Sequence, residues 1–152
     1  MQSRLCAPKY DLTLSSRVGC GQGTFTMLNG DVYTGEQQNG KWHGQGQYIW
    51  SVGNVYIGNW QNGNMHGCGR HISVNGSMYD GSWQNGKRLG QGRHVSVDGS
   101  IYDGSWHNDM RQGQGKQASA GGQVYEGHWD NDQKHGQGRM TWPNGAVYEG
   151  RW

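Results

Sequence analysis

The sequence predicts an all-β fold: an elongated, twisted antiparallel sheet of stacked β-hairpins that stays open instead of closing into a barrel. Three observations predict it, namely a 23-residue repeat, two turn signals in each repeat, and short strand-forming segments between the turns. No window of the chain shows the apolar periodicity of an amphipathic helix. Each repeat is therefore expected to form one hairpin, and successive hairpins are expected to join edge to edge.

The repeat is marked first by tyrosine. Six tyrosines are spaced 23 residues apart, at Tyr33, Tyr56, Tyr79, Tyr102, Tyr125 and Tyr148. When each repeat is numbered from its Tyr, positions 3, 12, 14 and 21 are Gly in every complete repeat. Position 5 is Trp in all complete repeats except the first, which has Gln37. We call this regular pattern of residues at fixed repeat positions the grid. Its regularity indicates a stack of equivalent structural units.

The grid divides the chain into four parts. Five complete repeats cover 33–147, and 148–152 match the first strand of a further repeat. Residues 10–32 keep the grid's tyrosine and several glycines but lack Gly and Trp at positions 3 and 5, so they are predicted to be a degenerate capping repeat. Residues 1–9 precede the grid as an N-terminal extension. Because the last strand would leave an open sheet edge, we expect either continuation of the chain or end-to-end homodimerisation.

Two turn signals bound the strands of each repeat. Positions 7 and 8 read Asn-Gly in the first three repeats and weaken to Asn108-Asp109 and Asn131-Asp132 in the last two. Asn-Gly or Asp-Gly recurs at positions 20 and 21 of most repeats. These dipeptides supply the positive φ that tight hairpin turns require. The Tyr, Trp, Val and Ile residues between them favour strands.

Alternation along a strand places positions 1, 3 and 5 on one face. We assume that position 5 pairs with position 14 within a hairpin, which sets each Trp over a Gly and the Gly of position 3 opposite the bulky position 16. The same register places an acidic column at position 2 on the opposite face, together with a basic column at position 15 made of Arg70, Arg93, Lys116 and Arg139. The basic column is a candidate lipid-contacting strip or, with the acids beside it, a row of cross-strand charge pairs.

A partner-binding groove is predicted on the face that carries Tyr and Trp, since both residues are enriched at binding hot spots. Its candidates at positions 1 and 5 are Tyr56, Trp60, Tyr79, Trp83, Tyr102, Trp106, Tyr125 and Trp129. Position 16 adds His71 and His94, and position 18 adds Trp50 and Trp142, where three other repeats have Ser. These two off-grid tryptophans either pack the ends of the array or anchor a partner segment. Trp42, at position 10, is assigned to a loop.

Composition and charge argue against several function classes. The 13 Lys and Arg are nearly balanced by 11 Asp and Glu, so the net charge of +2 lacks the basic excess of a nucleic-acid binder. The G-x-G runs resemble phosphate-binding loops but lack the following Lys-Ser or Lys-Thr and the helix that such loops open. No Ser/His/Asp or Cys/His set stands apart from the grid, so the sequence predicts no catalysis, no cofactor and no metal site.

The cellular compartment is predicted from absent signals. The chain begins without the apolar run of a signal peptide. Its three cysteines, Cys6, Cys20 and Cys68, have no ligand-like spacing and are expected to be reduced thiols. The prediction is a cytoplasmic protein, associated with the cytoskeleton, a cilium or a membrane.

The pattern Y-x-G-x-W-x-N-G-x-x-H-G-x-G at this period resembles the MORN repeat (membrane occupation and recognition nexus) from Tyr10 to Trp152. The His-Gly pair of that pattern appears as His43-Gly44, His66-Gly67 and His135-Gly136. It departs at Leu89-Gly90 and Gln112-Gly113, where no role can be carried over for the His.

The resemblance implies a curved hairpin array whose aromatic groove holds extended or helical segments of partner proteins. The expected function is a non-catalytic protein–protein interaction scaffold that links cytoskeleton or cilium to membrane. Two alternatives stay open, because related modules occur in lipid kinases and in a SET-domain methyltransferase. One is a targeting or regulatory module of a larger enzyme, and the other is a membrane-surface module that binds phospholipid.

Overall fold

The computed structural model of the chain describes residues 21–152. That part folds into twelve β-strands and contains no helix. The strands are β1 (Gly21–Thr26), β2 (Val32–Gln38), β3 (Lys41–Ile49), β4 (Val55–Gln61), β5 (Asn64–Ile72), β6 (Met78–Gln84), β7 (Lys87–Val95), β8 (Ile101–His107), β9 (Met110–Ala118), β10 (Val124–Asp130), β11 (Gln133–Thr141) and β12 (Val147–Arg151). The N-terminal extension and the first half of the degenerate repeat lie outside the described residues.

All twelve strands form one open antiparallel sheet whose strand order follows the sequence from β1 to β12. Each complete repeat contributes one hairpin, closed by the turn at positions 7 and 8, and the turn at positions 20 and 21 leads to the next hairpin. The predicted fold class is therefore confirmed.

The turns with Asn-Asp have the same geometry as those with Asn-Gly. Asn85 and Gly86 have φ values of 49° and 80°, and Asn108 and Asp109 have 47° and 68°. Asn and Asp tolerate this left-handed conformation better than other side chains. The Asn-Asp dipeptides, although they are a weaker turn signal in the sequence, therefore form the same turn.

The assumed strand register is also wrong. Within a hairpin position 3 pairs with position 14, as in Gly58↔Gly69, and a bulge before position 5 then pairs Trp60 with Met65. The glycine opposite each Trp is position 12 of the preceding repeat, as in Gly67↔Trp83. Strand alternation fixes which face a residue occupies, but a bulge shifts the pairing without changing that pattern.

Pairing glycine with glycine leaves room for the tyrosine ring of position 1 to lie across both strands. A Cβ added to Gly81 would stand 2.6 Å from the Tyr79 hydroxyl oxygen and 2.7 Å from the carbonyl oxygen of Gln91. The Tyr79 hydroxyl donates a hydrogen bond of 3.1 Å to the carbonyl of Ser82, which pins the ring in this place. The Gly columns at positions 3 and 14 are thus required by close approach of the Tyr ring.

The core is a single row of rings along one face of the sheet, which we call the aromatic face. From Tyr56 to Tyr125, each Tyr contacts the Trp of its own repeat edge-on and the next Trp along the array, as Tyr79 contacts Trp83 at 5.1 Å and Trp106 at 5.3 Å between ring centroids. The Trp106 indole also donates to the carbonyl of Gly92 at 3.0 Å, across the repeat boundary. The buried members are Tyr33, Tyr56, Trp60, Tyr79, Trp83, Tyr102, Trp106, Tyr125, Trp129 and Met140.

The opposite face, which we call the charged face, carries positions 2 and 15 in alternating order. The Arg70 Nε donates to Asp80 at 3.0 Å, and Lys116 lies 3.7 Å from Glu126. Arg93 pairs in register with Asp80 on one side and with Asp103 on the other. Acids and bases therefore alternate along the sheet, so the predicted basic strip is not a continuous positive surface.

Asp31, between β1 and β2, ties the first described turn to the second. Its carboxylate accepts hydrogen bonds from the Ser51 amide at 2.8 Å, the Tyr48 hydroxyl at 2.7 Å and the Asn29 amide at 2.9 Å. These bonds, the Ser51 amide first, lower the pKa of Asp31 to about 2. Ionised Asp31 therefore stabilises the first turn pair of the array.

Replacing Asp31 with Asn is expected to destabilise the protein near neutral pH and to matter less in acid. The folded-state pKa lies below the unfolded value of about 3.9, so this contribution is complete above about pH 4 and is lost as pH falls toward 2. Urea unfolding of both proteins between pH 7 and pH 2 checks this. A stability gap that stays constant over the range would contradict the role of the ionised carboxylate.

Candidate binding groove

Position 10 is occupied by five long side chains that lie on the aromatic face: Trp42, Met65, Arg88, Arg111 and Lys134. We call them the position-10 row. Trp42 lies in β3, so its assignment to a loop is wrong, and its ring stacks on Tyr33 at 3.9 Å. Arg88, Arg111 and Lys134 likewise lie over the Tyr of their own repeats, and Met65 packs against the core.

The three cationic members lie over two rings each. The Arg88 guanidinium is 5.5 Å from the Tyr79 ring centroid and 4.2 Å from that of Trp106. Arg111 has the same relation to the rings of the next repeat, at 5.6 Å and 4.2 Å. Lys134 lies 4.9 Å and 5.1 Å from its two rings. These distances are typical of cation–π interactions. Because each cation contacts one ring of its own repeat and one ring of the next, the interactions link successive repeats.

Both arginines are also held by the Asp at position 8 of the following repeat. Arg88 donates from Nε to the Asp109 carboxylate at 3.2 Å and from Nη2 to the Asp109 carbonyl at 2.7 Å. Arg111 and Asp132 repeat this arrangement at 2.9 Å and 2.8 Å. Where position 10 is Trp42 or Met65, the following repeat has Gly at position 8. This coupling, at an offset of 21 residues, is present in the sequence but is visible only once the contact is known.

Positions 16 and 18 form the other side of the aromatic face. Tyr48 and Trp50 pack at 4.6 Å between ring centroids, and Trp50 meets the His71 ring edge-on at 5.6 Å. His71 in turn lies 6.3 Å from Trp83. We call Tyr48, Trp50 and His71 the aromatic cluster. All three rings are half-buried, so each keeps a surface that a ligand can reach.

A concavity of about 320 Å³ lies between the aromatic cluster and the position-10 row. Its walls include Trp50, His71 and His94 on one side and Met65 and Arg88 on the other. Tyr79 and Trp83 form its floor. We call this concavity, together with the strip of the aromatic face that lies between positions 10 and 16 of the other repeats, the groove.

The structure divides the predicted groove residues into two classes. The candidates at positions 1 and 5 are at most 7% exposed and serve as floor and core, which corrects the view that they offer their own faces to a partner. Trp50, Trp142, His71 and His94 are half-buried and have accessible surface on the aromatic face. The position-10 row was missed as a groove wall, because its residue types differ in every chemical property except length.

The two histidines that line the groove are held neutral. Burial lowers the pKa of His71, and the positive charge of Arg88 adds to the effect. Burial likewise lowers the pKa of His94, aided by Arg88 and Arg111. Burial raises the pKa of the floor hydroxyl of Tyr79. Near pH 7 the groove therefore presents neutral rings beside a cationic wall.

In residues 21–152, no three His, Cys, Asp or Glu side chains converge so as to hold a metal ion. Within the same part of the chain, no helix has the length and apolar character needed to cross a bilayer. Cys68 is disulfide-bonded, so the expectation of three reduced thiols is wrong for this residue; irregular Cys spacing gave no signal of a pairing.

The fold is similar to that of a solved protein domain. The TCP domain of SAS-4 (dCPAP) from Drosophila melanogaster, in complex with a proline-rich motif of Ana2 (dSTIL), matches with a TM-score of 0.52 at 12% identity, over 85% of this chain and 70% of that chain. At this identity the likeness concerns the fold alone. No curated protein matches the chain.

Two lyase structures also align with the chain, but with too low a TM-score to support an inference. A streptogramin B lyase aligns at 11% identity over 84% of this chain and 39% of its own, with a TM-score of 0.19. Inactive virginiamycin B lyase from Staphylococcus aureus aligns at 13% identity over 88% and 42%, with a TM-score of 0.21.

The family comparison agrees with the geometry. The MORN repeat profile matches five consecutive segments, 33–55, 56–78, 79–101, 102–124 and 125–147. Each matched segment is one hairpin of the sheet together with the turn that leads to the next. Since these segments cover most of the chain and each has the Tyr-over-Gly packing described above, the protein belongs to the MORN repeat family.

Proposed function

We propose that the protein is a non-catalytic interaction module that binds an extended segment of a partner protein along the groove. The observation that carries the proposal is the aromatic cluster. Two of its rings, Trp50 and His71, are half-buried and form part of the wall of the concavity. Such a site can bury apolar side chains of a ligand without any rearrangement of the sheet.

Trp50 is the member of the cluster that the fold does not require. Three other repeats have Ser73, Ser96 and Ser119 at the same position and form equivalent hairpins. A large aromatic residue at a position where Ser suffices is a candidate anchor for a ligand. The two readings of the off-grid tryptophans, end packing and anchoring, thus differ in what loss of Trp50 would do.

The geometry favours an extended ligand. Grooves lined by aromatic rings accept polyproline II segments, whose fixed backbone loses little entropy on binding. The TCP domain that shares the fold is in complex with a proline-rich motif of its own partner, which supports testing this ligand class first.

The other functions considered from the sequence have less support. The alternation of acids and bases on the charged face argues against anionic phospholipid as the main ligand. A role as the targeting module of a larger enzyme, homodimerisation through the outer strand β12, and a cytoplasmic site at cytoskeleton, cilium or membrane all stay predictions.

Selection of displayed 16-residue peptides on the protein tests the proposal. We expect the selected peptides to bind the Trp50→Ala protein with an affinity that is lower by about ten-fold or more, as is usual when a hot-spot residue is lost. The matched control is Ile49→Ala, since Ile49 adjoins Trp50 in the sequence, is 39% exposed, and lies on the charged face. Isothermal titration calorimetry gives both affinities, and thermal unfolding shows that both variants stay folded. Equal binding to the two variants would refute the proposed site.

A further inference from the structure

The groove changes its chemistry along the sheet. In the first two complete repeats the position-10 row is apolar, with Trp42 and Met65, and the aromatic cluster stands across from it. In the next three repeats the row is cationic, with Arg88, Arg111 and Lys134. The facing positions 16 and 18 there are His94 and Ser96, then Gln117 and Ser119, and in the last repeat Met140 and Trp142. The position-10 wall of the groove thus has an apolar end at β3–β5 and a cationic end at β7–β11.

The cations at this end keep hydrogen-bonding capacity for a ligand. Arg88 and Arg111 use Nε and Nη2 to hold Asp109 and Asp132. Among the described residues, the Nη1 groups of both arginines donate no hydrogen bond. Lys134 has no carboxylate within ion-pair distance in that same part of the chain, and its ammonium meets only ring faces. The cationic end therefore carries one uncompensated charge and two oriented guanidinium groups.

The cations of the charged face are arranged differently. The bases at position 15 stand in register beside acids, and Arg70 and Lys116 form ion pairs. A negatively charged ligand gains little there, because the neighbouring acids cancel the field. In the groove, Arg88 and Arg111 are held by Asp109 and Asp132 on one side only, and Lys134 has no ion pair among the described residues.

We propose that the groove binds its partner segment in a fixed register, with apolar or proline residues against the aromatic cluster and Asp or Glu residues against Arg88, Arg111 and Lys134. The inference rests on the proposed function and adds to it the charge pattern of the ligand. Carboxylates suit the site because Arg and Lys donors bind them through charge-assisted hydrogen bonds.

The spacing of the cations sets the spacing of the acids. Successive members of the position-10 row are separated by two strands, which is about 10 Å. A polyproline II segment advances by about 3.1 Å per residue. An extended ligand that runs along the groove should therefore carry acidic residues about three positions apart, beyond its apolar portion.

The test uses the displayed peptides that bind in a Trp50-dependent manner. We expect Asp or Glu at about three-residue spacing in these peptides, and weaker binding when those residues become Asn or Gln. Lys134→Met should weaken the acidic peptides about three-fold to ten-fold and leave the amide versions unchanged. Lys116→Met is the control, since it removes the same charge from the charged face and should change affinity less than about two-fold.

A second variant separates local contacts from net charge. Arg88→Met combined with Asp109→Gly keeps the net charge and copies the Met65 and Gly86 pair that the chain already contains. It should also weaken the acidic peptides about three-fold to ten-fold. Trp50-dependent peptides without acids, or unchanged affinity in both groove variants, would overturn the charge pattern and leave the proposed function standing. Absence of any Trp50-dependent peptide would instead overturn the proposed function, and this inference with it.

Discussion

Replacing Gly104 with Ala is expected to lower the free energy of unfolding by about 3 kcal/mol or more, because the added methyl group has no place to go. A Cβ there would stand 2.5 Å from the Cα of Gly115, 2.7 Å from the carbonyl oxygen of Gln114 and 2.6 Å from the Tyr102 hydroxyl oxygen. The first two atoms are backbone of the paired strand, so relief requires that the strands separate. Urea unfolding followed by Trp fluorescence measures the loss.

The same repeat offers a matched control in Gly121. The nearest atom to a Cβ at that turn position is the Ser119 hydroxyl oxygen at 4.0 Å. Gly121→Ala is expected to be neutral or to stabilise the protein by about 0.5 kcal/mol, since Ala reduces the entropy of the unfolded chain. Similar losses at Gly104 and Gly121 would show that the Gly columns supply flexibility instead of space for the Tyr rings.

Replacing Trp106 with Ala is expected to cost about 3–5 kcal/mol, the usual range for a buried aromatic side chain. Trp106 packs edge-on against Tyr79 and Tyr102 at 5.3 Å and 5.1 Å and lies under the Arg88 guanidinium at 4.2 Å. Its indole also donates the hydrogen bond to Gly92 that crosses the repeat boundary. The substitution removes the main contact between two repeats in the middle of the array.

The comparison for Trp106 is Trp50→Ala, measured by the same urea unfolding. Trp50 is half-buried, so its loss should cost roughly half as much or less. If the two losses were equal, Trp50 would be a core residue, and the end-packing interpretation of the off-grid tryptophans would be preferred to the anchor.

The fold could be predicted because the same strand and turn signals recur in each of the five complete repeats. A Tyr every 23 residues and paired turn signals leave few topologies other than consecutive hairpins. The strand register could not be predicted, since the bulge at positions 3 to 5 leaves the alternation of faces intact. Prediction of the register would have required knowing that Tyr79 lies over Gly81 and Gly92.

The groove could be predicted in part. Trp50 and Trp142 stood out because they depart from the grid, and the structure places both half-buried on the aromatic face. The Tyr and Trp residues at positions 1 and 5 were wrongly predicted to contact a partner directly. Both residue types occur in cores and at binding hot spots, and the sequence does not show which of these residues are exposed to solvent. The position-10 row could not be predicted as a groove wall, because Trp42, Met65 and Arg88 occupy the same repeat position but differ in polarity and charge.

Two-dimensional NMR of the eight Trp indole N–H groups during titration with a selected peptide tests the central claim most directly. We predict that the Trp50 signal shifts strongly. The signals of Trp83 and Trp106 should move little, because their N–H groups are bonded to the carbonyls of Gly69 and Gly92 at 3.0 Å beneath the groove floor. If a peptide bound with saturation and the Trp50 signal did not shift, the groove would not be the binding site.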